Sequence, residues 1–322
     1  MPEKVLTEST IPAPRPGPAR LVLPATSANL GPGFDAAALA MTLYLTVDAE
    51  AAATMSITAT GRDAALCGAL KDNLILDTYA GVLTANNRPV TPLKIEVENE
   101  IPLGMGCGSS AAALLAGIAL AAHFGSLGWS SEDVLREACI REGHPDNVAA
   151  CWLGGLTLSA MDNVDGKTSV HAIAIKPKSD WRLLLVMPST PLSTKKARGL
   201  LPEKYSSADA VFNVQRIALL TAAFAEGNGE LLQVAMQDKL HQPYRSEATP
   251  LLPLLQPLAG NSGILGVALS GAGPSVLLVL SRDAVLEDVE KLVTEKTTPI
   301  ADIKMLPCFM ERRPASCELE TV

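Results

Sequence analysis

A run of glycines and serines just before a long apolar segment is the feature of this sequence best suited to chemistry. Residues 104–110 read GMGCGSS and lead directly into AAALLAGIALAAHFG, which is rich in strong helix formers and free of proline. Glycines have no Cβ, so their backbone amides can approach a phosphate closely, and the amino end of a helix adds partial positive charge there. The pattern predicts a polyphosphate-binding loop at the start of a helix.

Two common nucleotide-binding patterns do not describe this loop. No lysine follows Gly108, so the lysine of a P-loop is absent, and glycines at every second position do not fit GxGxxG. Residues 31–36 do match GxGxxA, which makes a Rossmann dehydrogenase a competing hypothesis. The chain enters them through Pro24 and a loop, however, and that fingerprint requires a tight strand-to-helix turn. A glycine-rich turn that only lets a helix and a strand pack closely is a further interpretation of residues 104–110.

Two other segments of small residues also follow apolar runs. They are PATSANLGPGFD, residues 24–35, and SGAGPS, residues 270–275. Three such loops from distant parts of the chain fit a site that is assembled around one substrate.

Hydrophobic periodicity predicts the elements that position these loops. Alternating or continuous apolar runs predict strands, and long segments of helix formers predict helices. Residues 24–35 are predicted to be a loop, because prolines, glycines and small polar residues dominate them. The mixed order of strands and helices predicts an α+β fold. Strands are predicted within residues 20–23, 37–50, 54–61, 92–102, 181–188 and 263–281, and helices within 73–86, 111–125, 130–143, 209–227, 229–242 and 283–296.

Composition narrows the class of protein. The chain has 322 residues, of which 48% are hydrophobic and 19% charged, and its net charge is −8. An acidic chain without a basic stripe argues against an extended nucleic-acid surface, and no apolar run is long enough to predict a membrane span. The six cysteines show no paired metal spacing, and the first residues show no secretory signal, so we expect a cytoplasmic protein with buried, reduced cysteines.

Proline content and a break in composition predict the domain organisation. Residues 11–19 hold four prolines, and we expect residues 1–18 to form a flexible arm. The polar segment DNVDGKTS, residues 162–169, comes before the next apolar strand. It predicts a boundary between a first domain, residues 19–170, and a second domain, residues 171–322.

Four segments together resemble the successive signatures of the GHMP kinases, and most specifically those of the homoserine kinases. They are PATSANLGPGFD, IPLGMGCGSSAAA, EGHPDNVAA and LSGAGPSV, and the resemblance spans residues 20 to about 280. The second and fourth are shared across the superfamily and imply ATP binding, whereas EGHPDN and the opening segment favour homoserine kinase. The resemblance implies a two-domain fold. Its N-terminal two-layer α/β domain would bind ATP, its C-terminal domain would be ferredoxin-like, and the active site would lie between them.

The resemblance also implies ATP and Mg²⁺ as cofactors and assigns residues to them. It places the hydroxyl of Ser110 and the carboxylate of Glu142 near the ion, in line with the reluctance of Mg²⁺ to lose its waters to many protein ligands. Asn73 corresponds to a nucleotide-pocket residue, although it could equally cap the helix that follows. Met105 and Cys107 depart from the residues that are common in the family. The implied ATP loop consists of Pro102, Leu103, Gly104, Met105, Gly106, Cys107, Gly108, Ser109, Ser110, Ala111 and Ala112.

The implied reaction is phosphorylation of the hydroxyl of L-homoserine to O-phospho-L-homoserine, in threonine biosynthesis. Guanidinium groups and a carboxylate suit the two charged groups of an amino acid. Thr194 would lie near the transferred phosphate, and the catalytic roles fall on Asn147, Arg198 and Thr194. No side chain is assigned as a general base. The implied substrate contacts are Asn29, Asp35, His144, Asn147, Arg198 and Arg245.

Two alternatives remain open within this resemblance. One is a kinase of the same superfamily for mevalonate or a sugar, although a sugar has no carboxylate for the arginines to bind. The other is a nucleotide-binding sensor without turnover, although such a protein would not need Ser110 and Glu142 for its fold. The partner implied is a small-molecule substrate, and a homodimer is possible.

Overall fold

The structure is a computed structural model that describes residues 16–321, with side chains described for residues 16–319. Within these residues, no helix is long and apolar enough to cross a membrane. The strands are Pro16–Asn29 (β1), Gly33–Ala51 (β2), Ser56–Gly61 (β3), Leu93–Asn99 (β4), Leu156–Val164 (β5), Lys167–Ile175 (β6), Arg182–Met187 (β7), Ile264–Leu269 (β8), Val276–Leu280 (β9), Lys304–Phe309 (β10) and Ser316–Thr321 (β11). The helices are Ala64–Cys67 (α1), Leu74–Ala85 (α2), Ser109–Phe124 (α3), Ser131–Glu142 (α4), Asp146–Leu153 (α5), Thr194–Arg198 (α6), Ser207–Glu226 (α7), Leu232–Ala235 (α8), Gln242–Arg245 (α9), Leu251–Leu255 (α10) and Leu286–Thr297 (α11).

The larger sheet has seven strands and is covered by helices. Its order is β11-β1-β2-β4-β3, with β5 also pairing with β2, and β6 with β5. Helix α3 lies at the centre of the helical layer, where Leu115, Ile118 and Leu120 are fully buried. A helix that is apolar on nearly all sides must be enclosed by other elements, and α2, α4 and α5 enclose this one. The amino end of α3 therefore starts from a rigid core.

The smaller sheet has four antiparallel strands in the order β10-β7-β9-β8. Numbered along the chain, these are the fourth, first, third and second strands, with α7 after the first and α11 after the third. This is the βαββαβ arrangement of ferredoxin-like domains. Leu184 and Leu278 face a core with α10 and α11, while Leu185 and Leu277 face the main core, as the period of two in a strand requires. The predicted α+β class with a ferredoxin-like second part is confirmed.

Strand β1 runs further than the sequence predicts. The predicted loop over residues 24–35 is wrong at both ends, because residues 24–29 continue β1, residues 33–35 begin β2, and the two strands pair. A register shift after Pro24 accommodates the proline, since an irregular position in a ladder tolerates a missing amide donor. The chain turns only at residues 30–32. Asn29 therefore lies at one end of a tight turn, and Asp35 lies on the strand that leaves it.

The predicted helix over residues 229–242 is also wrong. A short 3₁₀ turn, Gly229–Leu231, leads into α8, which ends at Ala235. Helix α9 begins only at Gln242. Between them, the buried carboxylate of Asp238 accepts hydrogen bonds from the backbone amides of Leu240, His241 and Gln242. An aspartate that binds nearby amides in this way competes with helical hydrogen bonds, so the helix is interrupted.

The ends of the described chain lie together in the larger sheet. Most of the arm predicted over residues 1–18 lies outside the described residues, but its last three residues begin β1, where Pro16 pairs with Thr321 of β11. Strand β11 belongs to the larger sheet although it falls in the second predicted domain. The boundaries of the predicted domains stay a prediction.

Candidate active site

A cleft of about 200 Å³ opens where the three loops of small residues meet. The turn between β1 and β2, the loop before α3 and the turn between β8 and β9 form its walls, and the ends of α4, α5, α6 and α9 reach it. It is lined by Asn29, Phe34, Asp35, Gly104, Gly106, Cys107, Gly108, Ser109, Ser110, Ala111, Glu142, His144, Asp146, Asn147, Leu192, Ser193, Thr194, Arg198, Arg245, Gly271, Ala272 and Gly273.

The glycines of the loop before α3 are required by its backbone. Gly104, Gly106 and Gly108 have φ angles of 69°, 73° and 71°, which side chains rarely adopt. A Cβ on Gly106 would lie 2.1 Å from the carbonyl oxygen of Ser270, and a Cβ on Gly108 would lie 1.9 Å from Oγ1 of Thr26. Gly108 is the N-cap residue of α3 and offers no capping side chain. The first amides of the helix are therefore available to an anion.

The contact at Gly108 gives a prediction for ATP binding. Replacing Gly108 by alanine should weaken ATP binding at least about tenfold, because the new methyl group displaces Thr26 and tilts the loop amides. Isothermal titration with ATP measures the affinity, and thermal unfolding measures stability. Gly128→Ala is the matched control, since Gly128 also has a positive φ of 66° but no atom within 4 Å of a Cβ. Equal ATP affinities in the two variants would contradict the prediction.

Two residues, Thr26 and Ser270, hold this loop to the rest of the cleft. The backbone amide of Thr26 donates to the carbonyl oxygen of Cys107 at 3.0 Å. The hydroxyl of Thr26 donates to Oδ1 of Asn147 at 2.7 Å, and the hydroxyl of Ser270 donates to the carbonyl oxygen of Gly106 at 2.7 Å. Thr26 thus fixes both the loop and the orientation of the Asn147 amide.

The segment between α4 and α5 contributes a histidine and a buried carboxylate. Oδ1 of Asp146 lies 2.6 Å from Nδ1 of His144 and accepts the backbone amide of Asn147 at 2.7 Å. Burial lowers the pKa of His144, but the hydrogen bond and charge of Asp146 outweigh it and raise that pKa above its ordinary value. Asp146 therefore orients His144 and Asn147 toward the cleft.

Glu142, the last residue of α4, presents an unpaired carboxylate to the cleft. Burial raises its pKa, and the charge of Asp146 adds to this while His144 opposes it. Within residues 16–319, no hydrogen bond or ion pair involves this carboxylate. Removing a carboxylate from water without a partner is costly. A cation beside Glu142 and Ser110, which line the same cleft, would offset that cost.

Two arginines border the opposite side of the cleft. One of them forms an ion pair, and the other is buried without one among the described residues. The guanidinium of Arg198 donates to both oxygens of Asp35, at 2.8 and 2.9 Å. Arg245 is 2% exposed, and burial, with the charge of Arg198, lowers its pKa to about 10. In the part of the chain that the structure describes, no carboxylate forms an ion pair with Arg245. Both guanidinium groups contact the ring of Phe34, with centroid distances of 5.5 and 5.4 Å.

A second, more apolar cavity of about 500 Å³ lies beside the start of α3. It shares Ser109 and Ser110 with the cleft, and Leu66, Ile101 and Leu103 are among its apolar lining residues. Asn73 also lines it, but its amide is occupied. Nδ2 donates to the carbonyl oxygens of residues 67 and 69, and Oδ1 accepts the amides of residues 75 and 76. Asn73 therefore caps α2 while it borders the cavity.

The structure brings most of the sequence-predicted residues to these two cavities. Three residues of the implied ATP loop line neither of them: Pro102 is buried, Met105 packs against the core, and Ala112 lies inside α3. The roles of all these residues stay predictions. The sequence motifs gave no role to Thr26, Phe34 or residues 271–273, although both segments that carry these residues belong to the motifs. Leu66 and Cys67 border the second cavity without any motif that could have indicated them.

Comparisons with known proteins identify the family of this chain. The family model of the GHMP kinases N terminal domain matches residues 73–155, and the GHMP kinases C terminal model matches residues 220–296. The chain is 48% identical over 274 residues to a homoserine kinase of Solibacter usitatus, covering 84% of this chain and 89% of that protein. A homoserine kinase of Synechococcus is 40% identical over 82% of this chain and 86% of that protein.

Solved structures with the same fold also include homoserine kinases. The crystal structure of homoserine kinase from Cytophaga hutchinsonii matches with a TM-score of 0.76 over 98% of this chain and 100% of that chain. At 23% identity this similarity shows only that the two chains share a fold. The two sequence relatives, however, are far more similar and cover most of both chains. The chain belongs to the homoserine kinases of the GHMP kinase family.

Proposed function

We propose that this chain transfers the terminal phosphoryl group of ATP to the hydroxyl of L-homoserine and so makes O-phospho-L-homoserine for threonine biosynthesis. The family membership supports the reaction, and one observation supports the substrate: the buried, unpaired guanidinium of Arg245 at the cleft. A buried cation is costly unless an anion meets it. The carboxylate of an amino acid would supply that anion, and mevalonate would supply a carboxylate without an ammonium group.

The charges on this side of the cleft match both ends of a zwitterion. Two guanidinium groups face one carboxylate, that of Asp35, so the group of three carries a net positive charge. We infer that the substrate ammonium takes the place of Arg198 beside Asp35, while the substrate carboxylate binds Arg198 and Arg245. Such an exchange keeps every charge paired. It costs little, because the Asp35–Arg198 pair is partly exposed and exposed pairs contribute about 0–1 kcal/mol.

ATP would occupy both cavities. The apolar cavity of about 500 Å³ offers a surface for the base and sugar, and the loop amides at the start of α3 suit the phosphates. Ser109 and Ser110 border both spaces and would lie where the two parts of the nucleotide join. Asn73 would shape this pocket through the helix cap it forms rather than through a free amide.

Magnesium would be held by Glu142 and Ser110. The fit rests on the chemistry of the donors: a half-buried carboxylate without a partner in the described residues and a hydroxyl, both beside the phosphate loop. Mg²⁺ prefers oxygen ligands and usually keeps several waters, so few protein ligands suffice. When bound, the ion would neutralise charge on the phosphates.

The protein residues then act mainly by position and charge. Phosphoryl transfer passes through a loose transition state, so alignment of donor and acceptor supplies most of the catalysis. Asn147, held by Thr26 and Asp146, would orient the acceptor hydroxyl. Thr194, at the start of α6, would face the moving phosphoryl group, and Arg198, at its end, would hold the acceptor's carboxylate so that the hydroxyl is aligned with that group. No side chain needs to remove the hydroxyl proton before transfer begins.

One assay tests the function directly. ADP release is measured with homoserine, threonine, mevalonate, galactose and shikimate as separate acceptors, with and without Mg²⁺. We expect homoserine to give a kcat/KM at least about a hundredfold above every other acceptor. Preference for mevalonate or galactose would instead indicate another kinase of the superfamily. ATP binding without ADP release for any acceptor would indicate a sensor.

The proposed role of Asp35 gives a further prediction. Replacing Asp35 by asparagine keeps the shape but removes the partner for the substrate ammonium, so KM for homoserine should rise about tenfold or more. Initial rates with homoserine and with 4-hydroxybutyrate, which lacks the ammonium group, provide the comparison. The variant should lose little further activity on 4-hydroxybutyrate. An equal loss on both acceptors would mean that Asp35 does not bind the ammonium group.

A further inference from the structure

A buried histidine, His241, lies directly behind Arg245. No role has been given to it so far. His241 is fully buried, and its Nδ1 is 3.1 Å from an amino group of the Arg245 guanidinium. Its other ring nitrogen, Nε2, is 2.7 Å from the carbonyl oxygen of Gly31, in the turn between β1 and β2. The ring also stacks on Phe34, with centroids 5.4 Å apart. One imidazole thus joins the buried arginine to the turn that carries Asn29 and Asp35.

The partners of the two ring nitrogens fix the state of the histidine. A guanidinium can only donate hydrogen bonds, so Nδ1 must be the accepting, unprotonated nitrogen. A carbonyl oxygen can only accept, so Nε2 must carry the hydrogen. The ring is therefore neutral, with its hydrogen on Nε2.

The surroundings favour this neutral state. Burial lowers the pKa of His241 below its ordinary value, and the charge of Arg245 lowers it further, while Asp238 and Asp35 oppose the change. Protonation would place a second cation against a guanidinium that has no carboxylate of its own.

The backbone that carries His241 is also held in place. Asp238 accepts the amides of His241 and Gln242 and binds Nδ2 of Asn213 on α7 at 2.7 Å. Besides Nδ1 of His241, the guanidinium group of Arg245 has one other hydrogen-bond partner in the described residues, the carbonyl oxygen of Ala197 at 3.3 Å. The shorter contact, from the imidazole, therefore does most to set the direction of the guanidinium.

We propose that His241 is a positioning residue that aims the Arg245 guanidinium at the carboxylate of the acceptor substrate. The inference rests on the proposed function. It assigns His241 no contact with substrate, nucleotide or reacting atoms. Its loss should therefore weaken binding of homoserine and leave both ATP binding and the rate at saturation nearly unchanged.

Two substitutions test the hydrogen bonds of the two ring nitrogens separately. In His241→Asn, the shorter side chain can place an amide oxygen near the position of Nδ1, which keeps an acceptor for Arg245 and loses the bond to Gly31. In His241→Gln, the amide reaches the position of Nε2, which keeps the donor to Gly31 and leaves Arg245 without its acceptor. The two variants differ in which bond they keep, and both bury an uncharged amide.

The test measures KM for homoserine, KM for ATP and kcat for wild type and both variants, with thermal unfolding as a check of the fold. We expect His241→Gln to raise KM for homoserine about tenfold, with kcat and KM for ATP within about twofold of wild type. His241→Asn should stay within about threefold of wild type in all three constants. The asparagine variant thus serves as the rescue that a purely structural role would not provide.

Three outcomes would overturn the inference while wild type still phosphorylates homoserine. These are equal KM values for homoserine in the two variants, a larger effect in the asparagine variant, or a loss that appears in kcat rather than in KM. Failure of wild type to release ADP with homoserine would instead refute the proposed function. If both variants unfold, nitrogen-15 NMR of the histidine rings in the wild-type protein replaces them. The His241 ring should be neutral with its hydrogen on Nε2 at about pH 7, and a hydrogen on Nδ1 would overturn the inference.

Discussion

Replacing Glu142 by alanine should reduce kcat by about a thousandfold while the fold and the affinity for ATP without metal remain. The carboxylate is partly buried and has no partner in the described residues, so its proposed role is to hold the ion that neutralises the phosphates. Removing one preorganised charge from such a site weakens stabilisation of the transition state far more than it weakens substrate binding, so the loss appears in kcat. Initial rates over a range of Mg²⁺ concentrations provide the measurement.

A neighbouring acid on the same helix provides the control. Glu137 pairs with Arg141 on α4 and does not line the cleft, so Glu137→Ala should keep kcat within about twofold of wild type. Near-normal activity of Glu142→Ala would remove Glu142 from the metal site.

Stability gives a second readout for Glu142 that does not depend on activity. A carboxyl group whose pKa is raised by folding binds more protons in the folded state than in the unfolded state, so its contribution to stability falls as the pH rises above about 4.5. Without metal, Glu142→Gln should therefore unfold at a higher temperature than wild type near pH 8, and the difference should shrink toward pH 5. A lower unfolding temperature at pH 8 would mean that the carboxylate is already stabilised by protein groups.

Replacing Arg245 by leucine should lower kcat/KM for homoserine by about a hundredfold or more, mainly through KM. The guanidinium is buried, so the substrate carboxylate would bind it out of water, where charged hydrogen bonds are strong. The substitution removes a costly buried charge but also leaves the buried Nδ1 of His241 without its donor, so its two effects on thermal stability oppose each other. Steady-state rates against homoserine and against ATP separate the two binding steps.

Two controls make the assignment of Arg245 specific. Arg245→Lys keeps the charge but not the planar fork, and it should recover only part of the loss. The methyl ester of homoserine lacks the negative charge, so Arg245→Leu should cost little further activity on it. If the substitution harms the ester as much as homoserine, Arg245 does not bind the carboxylate and acts instead on the phosphates.

Features of this protein with a local cause follow directly from its amino-acid sequence. Residues 104–110 require left-handed backbone angles at three glycines, and the helix formers that follow them specify α3 from its own composition. The alternation of apolar residues specified β4 in the same way, with every second residue buried. The motifs around these elements were long and distinctive enough to indicate the family and, through it, the residues that meet in the cleft.

Tertiary structure alone decided the features that depend on partners distant in sequence. Residues 24–29 read as a loop, yet they form a strand because β2 satisfies their backbone hydrogen bonds. The two arginines were equivalent in the sequence. Only the folded chain leaves Arg198 partly exposed beside Asp35 and buries Arg245 against His241. Burial and pairing are properties of the surroundings in space, and they set which cation is available to a substrate.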